Sequence, residues 1–172
     1  SVRETHHMEI RIRPLTGDEW RLWRSLRLRA VEETPDSFRS SLAQESAEAD
    51  EWWQELIGRA ADHPHGLLLV AEADGDPIAM MIGRINDAGD LLDVGAMWVE
   101  PEVRRIGIGR RLLDASLDWA RASGATRAEL WLTTSNHGAL ELYESAAFVF
   151  TAEDEPRRHV SDMILRRMTA DL

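Results

Sequence analysis

One junction constrains this chain more than any other segment: Val99-Glu100-Pro101-Glu102-Val103-Arg104-Arg105-Ile106-Gly107-Ile108-Gly109-Arg110-Arg111-Leu112-Leu113. An apolar strand ends at Val99, two closely spaced glycines let the backbone turn without Cβ interference, and a helix begins. That helix, expected over Gly107–Ala122, sets Ile108, Leu112, Leu113, Leu117 and Ala120 along one face. Unpaired amides and the positive end of a helix dipole meet at this turn, which suits a phosphate or pyrophosphate. Four arginines within residues 104–111 add a local basic patch.

The rest of the chain reads as strands and helices without a linker or repeat. Ile10 and Ile12 alternate with charged residues over Glu9–Pro14, the pattern of a half-buried strand. Thr16 and Glu19 have capping-box spacing, and the helix after them carries Leu22, Trp23, Leu26 and Ala30 until Pro35 stops it near Thr34. Ser41 and Gln44 repeat the box, ahead of a second helix expected to gather Trp52, Trp53, Leu56, Ile57 and Ala60. Three strands follow at Gly66–Ala73, Pro77–Asn86 and Leu91–Val99, the first two joined by the hairpin signal Asp74-Gly75-Asp76. Beyond the glycine turn and its helix come a strand at Arg127–Thr134, a helix at His137–Ala146 and strands near Phe148–Thr151 and Val160–Leu165. The order β-α-α-β-β-β-α-β-α-β-β predicts an α/β (α+β) fold, a mixed sheet with helices on its faces.

Composition removes whole classes of chemistry. The 172 residues contain no cysteine, which excludes disulfides, thiolate metal sites and a cysteine nucleophile. All 20 basic residues are arginine, so no lysine Schiff base or P-loop lysine exists. With 31 acidic residues the net charge is -11, a poor footprint for nucleic-acid binding. The apolar run Leu67–Ala71 falls far short of the roughly 20 residues a membrane span needs. No secretory signal is read, and a cytoplasmic protein is expected. Residues 1–8 are expected to be a tag remnant or disordered lead-in to one domain over 9–172. His63-Pro64-His65 has ligand types but no third partner at a recognisable spacing, so no metal is expected.

The glycine turn lacks both the lysine of a P-loop and the third glycine of a dinucleotide fingerprint, where Leu112 stands. Its longer pattern is more specific. Arg104-x-x-Gly107-x-Gly109 after Val99-x-Pro101, with Asn136-x-x-Ala139-x-x-Leu142-Tyr143-Glu144-x-x-x-Phe148 downstream, resembles the GNAT N-acetyltransferase superfamily. The resemblance covers Glu9 to Met168 and departs at Ala147, where that superfamily usually has glycine.

The resemblance implies a mostly antiparallel sheet whose fourth and fifth strands, Leu91–Val99 and Arg127–Thr134, splay apart to admit acetyl-coenzyme A. Backbone groups of Met97, Trp98 and Val99 would pair with the pantetheine arm. The amides of Arg104, Arg105, Ile106, Gly107, Ile108, Gly109 and Arg110 would hold the pyrophosphate. Asn136 would bond pantetheine, although asparagine there is also an ordinary helix N-cap. Tyr143 would face the cofactor sulfur as general acid, and its plain alternative is a core aromatic. Asp93, 14 residues before Gly107, would be the general base, or else a solvated strand-end charge. Phe38 and Trp53 would line the acceptor site.

The implied activity is acetyl transfer to a primary amine by direct attack in a ternary complex. The acceptor stays open among polyamines, amino acids, aminoglycoside-like antibiotics and protein amines, as does homodimerisation. The alternative readings are a noncatalytic acyl-coenzyme A binding module and, less well supported, a nucleotide-binding α/β domain.

Overall fold

The computed structural model describes residues 7–38, 40–156 and 164–172. The chain opens with β1 (Ile10–Pro14), α1 (Trp20–Glu33), α2 (Leu42–Ser46) and α3 (Asp50–Asp62). Next come β2 (Gly66–Ala73), β3 (Asp76–Ile85), β4 (Leu91–Val99) and α4 (Ile108–Ala122). It closes with β5 (Arg127–Thr133), α5 (His137–Ser145), β6 (Val149–Pro156) and β7 (Ile164–Asp171).

These strands form one sheet in the order β1-β2-β3-β4-β5-β7-β6, with β4 and β5 the parallel pair and the other neighbours antiparallel. Period-two alternation splits β2 between two cores. Leu68 and Val70 join Trp23, Leu26 and Trp53 on the α1–α3 face, whereas Leu69 and Ala71 join Leu112, Leu113 and Leu117 of α4. The Asp74-Gly75 turn holds both residues at positive φ (49° and 89°), as a two-residue hairpin loop of primed type requires.

An irregularity in β4 shapes the cleft. Ile82 pairs with Gly95 and Met80 with Trp98, so Ala96 and Met97 together oppose Met81. This is a β-bulge, with Ala96 at φ 50°. One extra residue inverts the side-chain parity. Leu92 and Val94 face the α4 core before the bulge and Met97 and Val99 face it afterwards, while Trp98 joins the α1–α3 core. Pairing with β5 runs only from Leu91–Arg127 to Val94–Leu130 and then stops.

The sequence expectation needs three corrections. The second helix is two, because the chain breaks after Ser46 and restarts at Asp50, having turned Glu45 inward onto Arg27. On α3, Trp53 and Ile57 are buried, but Trp52 and Leu56 lie on an adjacent, exposed face and do not share that core. The last strand begins at Ile164 and extends to Asp171; the part of that expectation at 160–163 lies outside the described residues. The expected tag remnant likewise falls mostly outside them.

The C-terminus of α5 explains the missing glycine. Phe148 N donates to Tyr143 O and Ala147 N to Glu144 O, both at 3.0 Å, which is a Schellman closure. Its apolar contact is the Tyr143–Phe148 ring pair, 5.8 Å between centroids. Ala147 occupies the left-handed position at φ 67°, where a Cβ is strained. Replacing Ala147 with Gly should therefore stabilise the fold by roughly 0.5–1 kcal/mol, raising Tm by about 2–4 °C. Calorimetry checks this, and an unchanged or lower Tm would show that alanine is not strained there.

Candidate active site

Where β4 and β5 part, a cleft of ≈ 550 Å³ opens. It is walled by β4 from Val94 to Val99, by the turn into α4, by the end of β5 and by α5. From Gly95 onward, the edge of β4 turned toward β5 has no strand partner among the described residues. An extended chain of amides and carbonyls fits such an edge as an added strand would.

At the floor of the turn, Gly107 is the N-cap of α4 at φ 88°, with open space where a Cβ would stand. Arg111 N donates to Gly107 O at 3.1 Å. The amides of Arg105 to Arg110 have no backbone acceptor among the described residues. Gly109 serves a different need: a Cβ there would meet Leu142 Cδ2 at 3.2 Å, so its smallness lets α4 pack against α5. The basic patch is largely committed within the molecule. Arg104 Nε donates to Val99 O at 2.9 Å and its Nη2 to Glu33 Oε2 at 2.6 Å. Arg110 bonds Asp114 and Ser145, and Arg111 reaches Ile10 O. An anion here would therefore be met chiefly by backbone amides and the dipole of α4.

Glu33 Oε2 also accepts from Trp98 Nε1 at 2.9 Å. Burial alone would raise the Glu33 carboxyl, but the bonds from Arg104 and Trp98 outweigh it and hold the group below its ordinary value. The end of α1, the end of β4 and the turn are thus tied by one carboxylate. Sequence reasoning missed this residue, since Glu33 and Arg104 are 71 positions apart and carry no local signal.

Met97, Trp98, Val99, Arg104, Arg105, Gly107, Ile108, Gly109, Arg110, Asn136 and Tyr143 all line this cleft. Ile106 does not, and its side chain is 57% exposed. Asn136 Oδ1 accepts from Ala139 N at 3.2 Å, so the residue does cap α5, while its Nδ2 has no bond among the described residues.

Asp93, Phe38 and Trp53 belong to a second cavity of ≈ 590 Å³, on the other side of the β4 bulge. Ser37, Phe38, Gly95, Ala96 and Trp131 line both, so the two spaces meet at the bulge. Asp93 itself is exposed and does not reach the first cleft. Among the described residues no cluster of three metal-ligating side chains exists, and no helix is long and apolar enough to cross a membrane.

Comparison with known proteins agrees with this geometry. Residues 25–148 match the model of the Acetyltransferase (GNAT) family, and the chain belongs to that family. A mycothiol acetyltransferase of Beutenbergia cavernae is 32% identical over 136 residues, covering 77% of this chain and 42% of that protein. One of Kocuria rhizophila is 30% identical over 146 residues, covering 81% and 46%. The chain thus spans less than half the length of these relatives. In fold it is similar to a GNAT-family acetyltransferase of Streptococcus pneumoniae (TM-score 0.78, 18% identity, 95% and 99% coverage). It is also similar to spermidine N-acetyltransferase of Vibrio cholerae, solved with CoA and spermine (TM-score 0.77, 17% identity, 94% and 95% coverage).

Tyr143 is the chain's one tyrosine, 6% exposed, and burial pushes its phenol above the ordinary value near 10. It therefore stays protonated across neutral pH and can donate a hydrogen bond but not act as a base. Being alone, it can be titrated directly by phenolate absorbance. The folded protein should show no phenolate until well above pH 10, and the unfolded chain should titrate near 10; a folded-state midpoint at or below 10 would refute the burial effect.

Proposed function

We propose that the chain is an N-acetyltransferase that moves an acetyl group from acetyl-coenzyme A to a primary amine within a ternary complex. One domain over 9–172 would carry the activity. The observation that carries this reading is the conjunction at the β4 bulge. An unpaired strand edge, an amide-rich helix N-terminus and the buried Tyr143 line one cleft, and a second cavity joins it at the bulge.

Acetyl-coenzyme A supplies the thioester carbonyl and the thiolate leaving group. The residues of this chain divide the remaining work. Amides of Arg105 to Arg110, on both sides of the positive-φ turn at Gly107, hold the pyrophosphate, and the free edge of β4 at Met97 and Trp98 pairs with the pantetheine arm. A bulge amide, assigned to Met97, stabilises the oxyanion as the carbonyl is attacked. Tyr143 donates to the departing sulfur. Asp93, on the rim of the second cavity, takes the amine proton directly or through a water, since an ammonium cannot attack. No cysteine is present to form an acyl-enzyme.

Saturating acetyl-coenzyme A or free coenzyme A, at about 100 times its Kd, should raise Tm by roughly 5–10 °C, and NAD or ATP should not. No shift with either coenzyme A species would sink the reading. Gly107→Val should abolish that shift while leaving the circular dichroism of the fold; unchanged affinity would overturn the pyrophosphate assignment. Tyr143→Phe should lower kcat by about 10²-fold or more with cofactor affinity nearly unchanged, whereas equal losses in both would reduce Tyr143 to a packing residue.

A further inference from the structure

The β4 bulge is unfavourable on local grounds, because Ala96 stands at φ 50°, where a Cβ is strained. Something outside the strand must offset that cost. A regular β4 would keep the parity of Leu92 and Val94, turning Trp98 and Glu100 toward the α4 core and Met97 and Val99 toward α1. The structure has the opposite arrangement. Trp98 is 4% exposed in the α1–α3 core, and Glu100 follows it on the same face, its amide donating to Ile78 O at 2.8 Å.

Two side chains one turn apart on α1 meet that face. Glu33 Oε2 accepts from Trp98 Nε1 at 2.9 Å, and Arg29 Nη1 donates to Glu100 Oε2 at 2.6 Å. Arg29 also lies over the Trp98 ring, 5.7 Å from its centroid, and its Nη2 donates to Pro77 O at 3.1 Å. A four-residue step on the helix thus matches a two-residue step on the strand. In the regular register the bonds to Trp98 and Glu100 are lost. Glu100 would turn toward an apolar core, the Trp98 N–H would leave its acceptor, and the charged ends of Arg29 and Glu33 would face Met97 and Val99. These costs fall on the unbulged strand alone.

Resting on the transferase reading above, we propose that Glu33 and Arg29 are positioning residues for the reaction: acting through Trp98 and Glu100, they hold β4 in its bulged register and so keep its edge beside β5 free for coenzyme A.

The test reads register and affinity separately in the whole protein. By NMR, Met80 should show cross-strand Overhauser contacts to Trp98; the regular register would place Met97 opposite Met80 and Trp98 opposite Ala79. Glu33→Ala should add a second set of contacts in the regular register. Calorimetric Kd for free coenzyme A should then rise by the reciprocal of the bulged fraction, about threefold for Glu33→Ala and about tenfold for Arg29→Met with Glu33→Ala. Trp98→Phe, which keeps a ring and deletes the donor, should shift register and Kd in the same direction. Glu33→Gln should restore one set of contacts and near-normal Kd, since its amide oxygen still accepts from Trp98 Nε1; mere loss of the ion pair to Arg104 would not be rescued. A single bulged set in the double variant, or a Kd that does not follow the bulged fraction, would overturn the proposal. Wild-type protein that binds no coenzyme A would instead remove the reading beneath it, while the contacts would still show whether α1 sets the register.

Discussion

Between Gly95 and Trp98, β4 carries one residue more than β3 can match, and the arrangement of the site depends on that surplus. A regular strand would keep pairing with β5 to its end and leave no space between them. With Ala96 at positive φ the strand bends, its side-chain parity inverts, and pairing with β5 ends at Val94–Leu130. The unpaired backbone that results is costly in a closed core but useful beside a cleft, where a ligand's own amides can satisfy it. The two cavities then meet at the bulge, where Ser37, Phe38, Gly95, Ala96 and Trp131 line both.

Charge in this molecule is spent mainly on holding elements together. Arg13 reaches both Glu19 and Glu72, Arg27 grips Glu45, Arg29 meets Glu100, and Arg104 meets Glu33. Arg104 occupies the most recognisable position of the turn motif, yet its guanidinium ties Val99 to α1. The proposed recognition of an anion by backbone amides would have a physical advantage here. The amides are fixed by the turn and lose no side-chain entropy on binding.

Sequence reading recovered what local chemistry specifies. The Asp74-Gly75 hairpin was legible because positive φ at two successive residues leaves few residue choices. Strand β4 was legible in extent but its bulge was not, since Gly95-Ala96-Met97 carries no residue that only a bulge tolerates. The Arg166-Arg167 pair broke the apolar pattern and hid the second half of β7. There Arg167 instead bonds Glu129 of β5 at 2.7 Å, a compensation that only the folded sheet supplies. Trp52 and Trp53 read alike as apolar neighbours, but a step of about 100° along the helix sends one to solvent and the other to the core. The motif residues were legible as a set: of the twelve assigned to β4, the turn, Asn136 and Tyr143, all but Ile106 line one cleft. Asp93 and Trp53 were legible as candidates, though not their place across the bulge from that cleft.

If Tyr143 serves a leaving thiolate, as proposed, it does so either by giving up its proton or by keeping it in a hydrogen bond. An ordinary phenol near 10 and an ordinary thiol near 8.5 already make full proton transfer uphill by about 2 kcal/mol. Burial raises the phenol further, so in this environment the proton is held more tightly by oxygen. Transfer to sulfur becomes favourable only if the thiolate is destabilised by the same burial at least as strongly. A hydrogen bond needs no such balance: a phenol that keeps its proton throughout neutral pH is always a competent donor, and its bond to a charged acceptor is stronger in a dry cleft than in water. The Schellman closure at Ala147 holds the Tyr143 ring against Phe148. That fixes the direction from which the donor reaches the cleft before any ligand arrives, and preorganisation of this kind is what makes a single hydrogen bond worth a large factor in rate.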